Sequence, residues 1–242
     1  MILITRPLEQ TENLERLLRG VDIDYALFPA FEIKKINTET VNHKYDVIIF
    51  ISVNAVNYAE DYYNKMFVGS FKVFAVGPIT AKRLINKNIK VDCFPKVNAS
   101  SKELLAMQEC SELINKKILI VRGKGGSETL KNHLRELNQV DYLEVYDRVP
   151  CKFTKLHAES MEVFFNSPEG VLMASSNESL SSIVNLFKLY SSNNFNEFKS
   201  RKLIVFSQKI KVLADKLGFK NIKVTLNPSD QDLINELINE KN

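Results

Sequence analysis

The 242-residue sequence contains no tryptophan, three histidines and three cysteines, and it has no long apolar run. Cys93, Cys110 and Cys151 stand in unrelated contexts with no CxxC pair, which argues against a disulfide framework and indicates a reducing compartment. The histidines are far apart, so a zinc site built from them would need distant partners, and we expect no metal ion. No segment approaches the ~18 apolar residues of a membrane span, and the N-terminal MILITRPLEQ lacks the basic start of a signal peptide. We therefore expect a cytoplasmic protein that does not associate with membranes.

The sequence also has little excess of one charge over the other. Lysine and arginine number 33 and aspartate and glutamate 29, which leaves a net charge of +4. No dense stripe of basic residues with interleaved aromatic residues is present, so we expect no nucleic-acid partner. The small excess fits either a solvated surface or a modestly basic cleft for an anionic ligand, and composition alone leaves both open.

What the sequence does contain is a regular alternation of short apolar runs and amphipathic helical patterns. Residues 8–20 show helical spacing of leucines, with Gly20 as the stop. Wholly apolar strands are typical of a parallel sheet covered on both faces, so the predicted fold class is α/β. The predicted strands are 1–5, 24–29, 46–52, 71–77, 116–123, 170–176 and 201–207, and YSSNNFNEF (190–198) is predicted to be a surface loop.

Four pairs of segments match at similar offsets, which indicates a duplicated α/β unit. The pairs are LITRPLEQTENL (3–14) with LIVRGKGGSETL (119–130), ISVN (51–54) with ASSN (174–177), NIKV (88–91) with NIKV (221–224), and NASSKELL (98–105) with NPSDQDLI (227–234). The order of these segments is permuted between the two halves.

The permuted order predicts one discontinuous domain, residues 1–34 plus 150–242, with a second domain, residues 37–146, inserted into it. Both are expected to be similar flavodoxin- or Rossmann-like α/β domains with parallel sheets. Two strand-like linkers, at about 31–36 and 144–150, would join the domains as a hinge. We expect a cleft to open between the domains.

Polar turns follow most of the predicted strands, in SVNAV, VGPIT, RGKGGSE, SSNES and FSQK. Ligands of open α/β sheets bind beyond the carboxyl ends of the strands, where N–H groups at helix starts favour anions. The serines and asparagines could equally be helix N-caps, and the glycines could serve tight turns only. Arg6 and Arg122 could bind a ligand or pair with a nearby carboxylate such as Glu12 or Glu128. The predicted substrate-binding residues are Arg6, Ser52, Asn54, Ala55, Gly77, Pro78, Ile79, Thr80, Arg122, Gly123, Ser175, Ser176, Asn177, Ser207 and Gln208.

Familiar catalytic motifs are absent from the sequence. It has no GxSxG or HExxH motif, and the glycines of RGKGGSE fit neither a P-loop nor GxGxxG. Tyr146 stands in the returning linker, where a phenol that faces the cleft could donate a proton to a leaving hydroxyl group. The alternative is a tyrosine that only packs at the hinge. Tyr146 is the candidate catalytic residue.

Taken in order, the segments resemble those of the uroporphyrinogen-III synthase family of tetrapyrrole biosynthesis over essentially the whole chain. They are ILITRP (2–7), FISVNAV (50–56), FAVGPITAKRL (74–84), SSKELL (100–105), ILIVRGKGGSETL (118–130), VYDRVP (145–150), ASSNESL (174–180) and NPSDQDLI (227–234). The turn at Gln208 and Lys209 departs from the arginine-containing pair that is common in the family.

The resemblance implies two α/β domains with a wide cleft and a linear tetrapyrrole polycarboxylate, hydroxymethylbilane, as the substrate. The implied enzyme is a lyase that closes the macrocycle with loss of water and inverts ring D through a spiro intermediate, without a metal or organic cofactor. Tyr146 matches the tyrosine that is proposed in the family to assist departure of the hydroxyl group. The alternatives are a non-enzymatic two-domain small-molecule binding protein and a two-domain nucleotide-sugar transferase, although we find no clear nucleotide site. We expect a monomer.

Overall fold

The computed structural model describes residues 1–38, 44–97, 99–190 and 194–239. The chain divides into two compact units, unit 1 (Met1–Glu32 and Val149–Asn242) and unit 2 (Ile33–Arg148). His43, Asn98 and residues 191–193 of the predicted loop lie outside the described residues.

The described residues form ten strands and twelve α-helices. The strands are β1 (Ile2–Ile4), β2 (Tyr25–Leu27), β3 (Phe31–Lys35), β4 (Val47–Phe50), β5 (Lys72–Ala75), β6 (Lys117–Gly123), β7 (Gln139–Pro150), β8 (Val171–Ala174), β9 (Lys202–Val205) and β10 (Asn221–Val224). The α-helices are α1 (Glu12–Gly20), α2 (Val53–Tyr58), α3 (Tyr63–Met66), α4 (Pro78–Ile85), α5 (Ser101–Leu105), α6 (Gln108–Ser111), α7 (Thr129–Leu134), α8 (Lys155–Asn166), α9 (Asn177–Tyr190), α10 (Phe195–Ser200), α11 (Gln208–Leu217) and α12 (Asp230–Ile238).

Each unit is built on one five-stranded sheet. The sheet of unit 1 has the order β10-β9-β8-β1-β2, and its neighbouring strands are parallel. The other sheet has the order β3-β7-β6-β4-β5, in which β7, β6, β4 and β5 are parallel. The edge strand β3 runs antiparallel to β7. Cys151 N donates a hydrogen bond to Ala30 O and Ile36 N donates one to Val145 O, so residue numbers rise along one strand as they fall along the other. The predicted α/β class with two parallel-sheet halves is confirmed.

The two sheets repeat one strand order. The repeats match β6 with β1 and the end of β4 with the end of β8. In both sheets these two strands are adjacent, and β5 in unit 2 and β9 in unit 1 lie in the same position beside β4 and β8. The correspondence continues at one end with β7 and β2. At the other end, β10 has its counterpart in an isolated parallel bridge between Phe74 and Cys93. The permuted duplication thus corresponds to one sheet topology built twice.

Both faces of the central strands are buried, as their apolar sequences predict. All four residues of β4 and of β8 are buried. Alternate residues point to opposite faces, so Ile48 and Phe50 join one core cluster of unit 2 while Val47 and Ile49 join another. This double-sided burial leaves the strand ends and the turns that follow them as the places where polar side chains can act.

Two predicted elements were placed wrongly. The helix predicted over 8–20 is a 3-10 turn at Leu8–Gln10 followed by α1. The break falls at Thr11, whose hydroxyl donates to Leu8 O at 2.9 Å and so competes with a continuous helix. The loop predicted at 190–198 contains most of α10, because Phe195 and Phe198 lie one turn apart and Phe198 stacks on Phe187 with ring centroids 4.0 Å apart.

All three cysteines are thiols rather than disulfides in the described chain. Burial raises the pKa of Cys93 to about 11 and that of Cys110 to about 12, whereas Cys151 is only partly buried. Because the thiolate is the reactive form, we expect a thiol reagent at about pH 8 to label Cys151 first. Cys93 and Cys110 should react only after unfolding. Mass spectrometry of timed samples checks this order, and fast labelling of either buried thiol in the folded protein would contradict it.

Candidate functional site

Ser52 links the end of β4 to the start of α2. Its Oγ accepts a hydrogen bond from Ala55 N at 3.0 Å, so Ser52 is the N-cap of α2. The same oxygen lies 3.1 Å from Oη of Tyr146. The N-cap alternative therefore holds for Ser52, and capping leaves its hydroxyl in contact with the candidate catalytic residue.

Tyr146 is positioned by an irregularity in the pairing of β6 with β7. Arg122 is opposite Glu144, but the next residue, Gly123, is opposite Tyr146, so β7 contains one extra residue at this point. Such a bulge redirects the side chains that follow it. Beyond the bulge, Lys124 N donates to Tyr146 O at 2.7 Å.

The ring of Tyr146 lies directly on Gly123. A Cβ atom at position 123 would be 2.4 Å from Cε2 of the tyrosine and 2.5 Å from Cζ, so only glycine fits without a shift. Tyr58 lies beside the same ring, with centroids 5.9 Å apart. Ser52, Gly123 and Tyr146 are thus brought together where β4 and β6 end beside the bulge of β7.

The next strand, β5, ends in the predicted turn at Gly77. Gly77 is the N-cap of α4. A Cβ at position 77 would lie 2.3 Å from Cβ of Ala99, so the close approach of Ala99 requires glycine at this position. Pro78 is the first residue of α4, Thr80 is buried, and Ile79 is 76% exposed. In the first turn of α2, Asn54 and Ala55 are buried.

Arg122 does not extend from the strand end toward solvent. Its side chain is 2% exposed, and Nη1 lies 2.9 Å from Oε1 of Glu128. Nε donates to Gly123 O at 3.0 Å, and Nη2 donates to Gly125 O. The local ion pair, one of the two alternatives for this arginine, is therefore the one that the structure favours.

In unit 1, the turns at the ends of β8 and β9 are also capped by serine side chains. Ser176 and Ser179 cap the start of α9 reciprocally, each Oγ accepting from the other residue's N–H at 3.0 Å. Ser207 caps α11 by accepting from Ile210 N at 3.4 Å. Three other predicted residues lie at these turns: Ser175 and Gln208, which are exposed, and Asn177, which is partly buried.

Two features of unit 1 differ from expectation or were not foreseen. Arg6 pairs with Asp230 at 2.5 Å and not with Glu12, so its partner is at the start of α12. The side-chain Oδ1 of Asn177 is buried and has no hydrogen-bond partner among the described residues. Buried polar atoms without a partner are uncommon in native proteins.

A cavity of about 700 Å³ lies at the opposite, amino-terminal edge of the unit 1 sheet. It is lined by residues such as Val171, Lys202 and Asn221, and none of the predicted site residues borders it. Within the described residues, no group of three or more His, Cys, Asp or Glu side chains could hold a metal ion, and no helix of the described chain could cross a membrane.

A family model described as uroporphyrinogen-III synthase HemD matches residues 12–235, which span both units. The chain belongs to the uroporphyrinogen-III synthase family. It is 25% identical over 247 residues to the uroporphyrinogen-III synthase of Escherichia coli (strain K12), with 98% of this chain and 99% of the relative covered. It is 27% identical over 250 residues to that of Salmonella typhimurium, with the same coverage.

Solved structures share the fold of this family member. The structure of uroporphyrinogen-III synthetase from Helicobacter pylori matches with a TM-score of 0.62 at 16% identity, covering 89% of this chain and 93% of that one. A mutant uroporphyrinogen III synthase from Thermus thermophilus matches with a TM-score of 0.54 at 14% identity over the full length of both chains. These findings do not favour the alternative of a non-enzymatic binding protein.

Several residues around the site of this synthase-family chain were not identified from the sequence. Tyr58, Ala99 and Tyr142 contact Tyr146, Gly77 and Arg122 respectively. The sequence gives some indication of Tyr142, because residues two apart in a strand lie on the same face and Tyr142 stands two residues before Glu144, close to Tyr146. Nothing in the sequence indicates Tyr58 or Ala99, since their contacts bridge segments that only the folded sheet brings together.

Ser52 allows a test that separates capping from contact with Tyr146. We expect Ser52→Ala to cost about 1 kcal/mol of stability, the usual effect of losing an N-cap. It should also lower kcat, because the Tyr146 hydroxyl loses its partner. Ser100→Ala is the matched control, since Ser100 caps α5 by accepting from Glu103 N at 3.1 Å. Thermal melts and turnover of both variants check this, and equal kcat values would show that the Ser52 contact is unimportant.

Proposed function

We propose that this chain is the lyase that converts hydroxymethylbilane to uroporphyrinogen III, closing the macrocycle with inversion of ring D and loss of water. The observation that carries the proposal is the family match over residues 12–235. The cluster of Ser52, Gly123 and Tyr146 supports it, because it presents a phenol with a hydroxyl partner and no nucleophile–base pair.

In the first step, Tyr146 is proposed to assist departure of the substrate hydroxyl group. The C–O bond breaks, its electron pair leaves on oxygen, and the phenol proton completes the water molecule. The pyrrole nitrogen lone pair stabilises the electrophilic carbon that remains. Ser52 Oγ, 3.1 Å from Oη, fixes the orientation of the phenol.

The rest of the work is proposed to be control of geometry. The activated substrate can close directly or after inversion of ring D, and holding the chain in one arrangement decides between the two outcomes. A strong acid–base pair is unnecessary for that choice. This accounts for a site with capped helix starts and tightly packed glycines around the phenol of Tyr146.

Two amide side chains are proposed to contact the substrate. Asn177 is the first residue of the 14-residue helix α9 and is partly buried, and a side-chain amide can accept a hydrogen bond from the N–H of a pyrrole ring. Asn54, 9% exposed, occupies the first turn of α2 next to Ser52. The net charge of +4 attracts a polycarboxylate over longer distances.

Further proposals concern the other turn residues, the location of the enzyme, its oligomeric state and its need for a cofactor. We infer that Gly77, Ser175, Ser176 and Ser207 lie along the bound substrate, and that the enzyme is a cytoplasmic monomer that needs no cofactor. Gel filtration gives the oligomeric state, and turnover after dialysis against a chelator tests the independence from metal.

The test of the function is the isomer composition of the product. Purified chain is incubated with hydroxymethylbilane, the product is oxidised to porphyrin, and the type I and type III isomers are separated by chromatography. We expect type III to predominate, whereas a reaction without protein yields type I. Type I alone, formed at the rate of the protein-free reaction, would overturn the proposal, and tight binding without turnover would restore the binding-protein alternative.

A further inference from the structure

Arg122 is the largest fully buried side chain of the described residues, and it occupies the inside of the β6–α7 loop (Gly123–Glu128). Its guanidinium binds the loop at several points. Nε donates to Gly123 O at 3.0 Å, Nη2 donates to Gly125 O, and Nη1 donates to Ser127 O at 3.5 Å and to Glu128 Oε1 at 2.9 Å. A buried guanidinium is tolerated only when its donors are satisfied, and here the loop itself satisfies them.

An aromatic ring completes the enclosure of the guanidinium. The Cζ atom of Arg122 lies 4.4 Å from the ring centroid of Tyr142, and Oη of Tyr142 donates to Oε2 of Glu128 at 2.8 Å. The hydrogen bond from Tyr142 lowers the pKa of the Glu128 carboxyl group. Burial, followed by the contact with Glu128, raises the pKa of Tyr142 to about 12. Glu128 therefore stays ionised and Tyr142 protonated at neutral pH, so the network keeps one charge state.

The β6–α7 loop, which Arg122 binds, also contacts Tyr146. Gly125 and Gly126 have φ values of +70° and +90°, so the loop follows a path that other residues rarely adopt. At its first residue, the backbone of Gly123 contacts the ring of Tyr146. At its second, Lys124 N donates to Tyr146 O at 2.7 Å. A displacement of this loop would therefore move the phenol relative to Ser52.

We propose that Arg122 is a positioning residue: it gathers the carbonyl groups of the β6–α7 loop and thereby holds Tyr146 in its reactive place, without itself contacting the substrate. This inference rests on the proposed function. It differs from a direct role in substrate binding, because a positioning residue acts on kcat through Tyr146 while a carboxylate-binding arginine acts first on KM.

The experiment compares Arg122→Met with Arg201→Met in the full-length chain. Arg201 is a matched control, because it also binds carbonyl groups and a carboxylate: Nη1 lies 2.7 Å from Ser167 O and Nη2 lies 2.9 Å from Glu197 Oε1. It lies in unit 1, immediately before β9, at the opposite end of that strand from Ser207. Both variants should lose similar stability, so a difference in turnover reports on position rather than on folding.

We expect Arg122→Met to lower kcat by about 100-fold with KM within about threefold of the wild type, the size of effect that a small misplacement produces. Arg201→Met should keep kcat within about threefold. In protein labelled with ¹³C at the tyrosine ζ carbon, the Tyr146 signal should shift in Arg122→Met without substrate and stay in place in Arg201→Met. Assignment comes from Tyr146→Phe.

A milder variant covers the case in which Arg122→Met does not fold. Glu128→Gln weakens one contact of the guanidinium and should shift the Tyr146 signal and lower kcat by several fold. Unchanged kcat and an unchanged Tyr146 signal in either variant would overturn the inference, as would a rise in KM at constant kcat. Wild-type protein that makes no type III product would instead overturn the proposed function, so the two failures are distinguishable.

Discussion

Replacing Tyr146 by phenylalanine is expected to lower kcat by about 100-fold, the lower range for loss of a positioned proton donor. The ring remains, so its packing against Gly123 and Tyr58 is preserved. Only the hydroxyl group disappears, together with its contact to Ser52. Steady-state turnover and a thermal melt of the purified variant are the measurements, and the melting temperature should change little.

Tyr45→Phe is the control for the loss of a hydroxyl group. Tyr45 lies just before β4, at the opposite end of that strand from Ser52, and its Oη donates to Asp141 at 2.9 Å. Its kcat should stay within about threefold of the wild type. Full turnover by Tyr146→Phe would remove Tyr146 from the reaction and leave the site without a proton donor.

Gly123→Ala should have an effect of similar size for a steric reason. The new Cβ would lie 2.4 Å from Cε2 of Tyr146, which is far inside van der Waals contact, so the ring or the loop must move. Misplacing a catalytic group by about 1 Å can cost about 100-fold in rate. Overpacking typically costs about 1–3 kcal/mol of stability as well. Turnover and chemical denaturation of the variant give the two values.

Gly20→Ala shows what the same substitution does where space is free. Gly20 is the last residue of α1, and apart from its chain neighbours and the backbone of its own helix, no atom lies within 4 Å of a Cβ built there. This variant should keep full activity and be as stable as the wild type or slightly more stable, because alanine is the better helix former. Wild-type kcat in Gly123→Ala would mean that the position of the Tyr146 ring is not critical.

Much of the architecture could be predicted because it depends on local patterns. Wholly apolar runs identify β4, β6, β8 and β9 as strands buried on both faces, and the internal repeats relate the strands of one sheet to those of the other. Serines at the ends of β4, β8 and β9 identify helix starts, and Ser52, Ser176 and Ser207 are N-caps in the structure.

The details of the site could not be predicted, because they depend on contacts between distant segments. Simple alternation along β7 would place Tyr146 on the face of Tyr142, but the bulge puts it with Leu143 and Val145. No pattern in the sequence signals that extra residue. The pairing of Arg6 with Asp230 has the same origin, since the two residues are far apart in the chain and meet only when α12 packs beside α1.

The central claim is that the reaction occurs at Tyr146, in the bulge of β7 beside the carboxyl ends of β4 and β6. Its most direct test is an anaerobic titration with uroporphyrinogen III of protein labelled with ¹³C at the ζ carbons of its eight tyrosines, with Tyr146→Phe identifying the signal. The account predicts a saturable shift of the Tyr146 signal. A saturable shift of other tyrosine signals while that of Tyr146 stays unchanged would contradict it, because the product would then bind elsewhere.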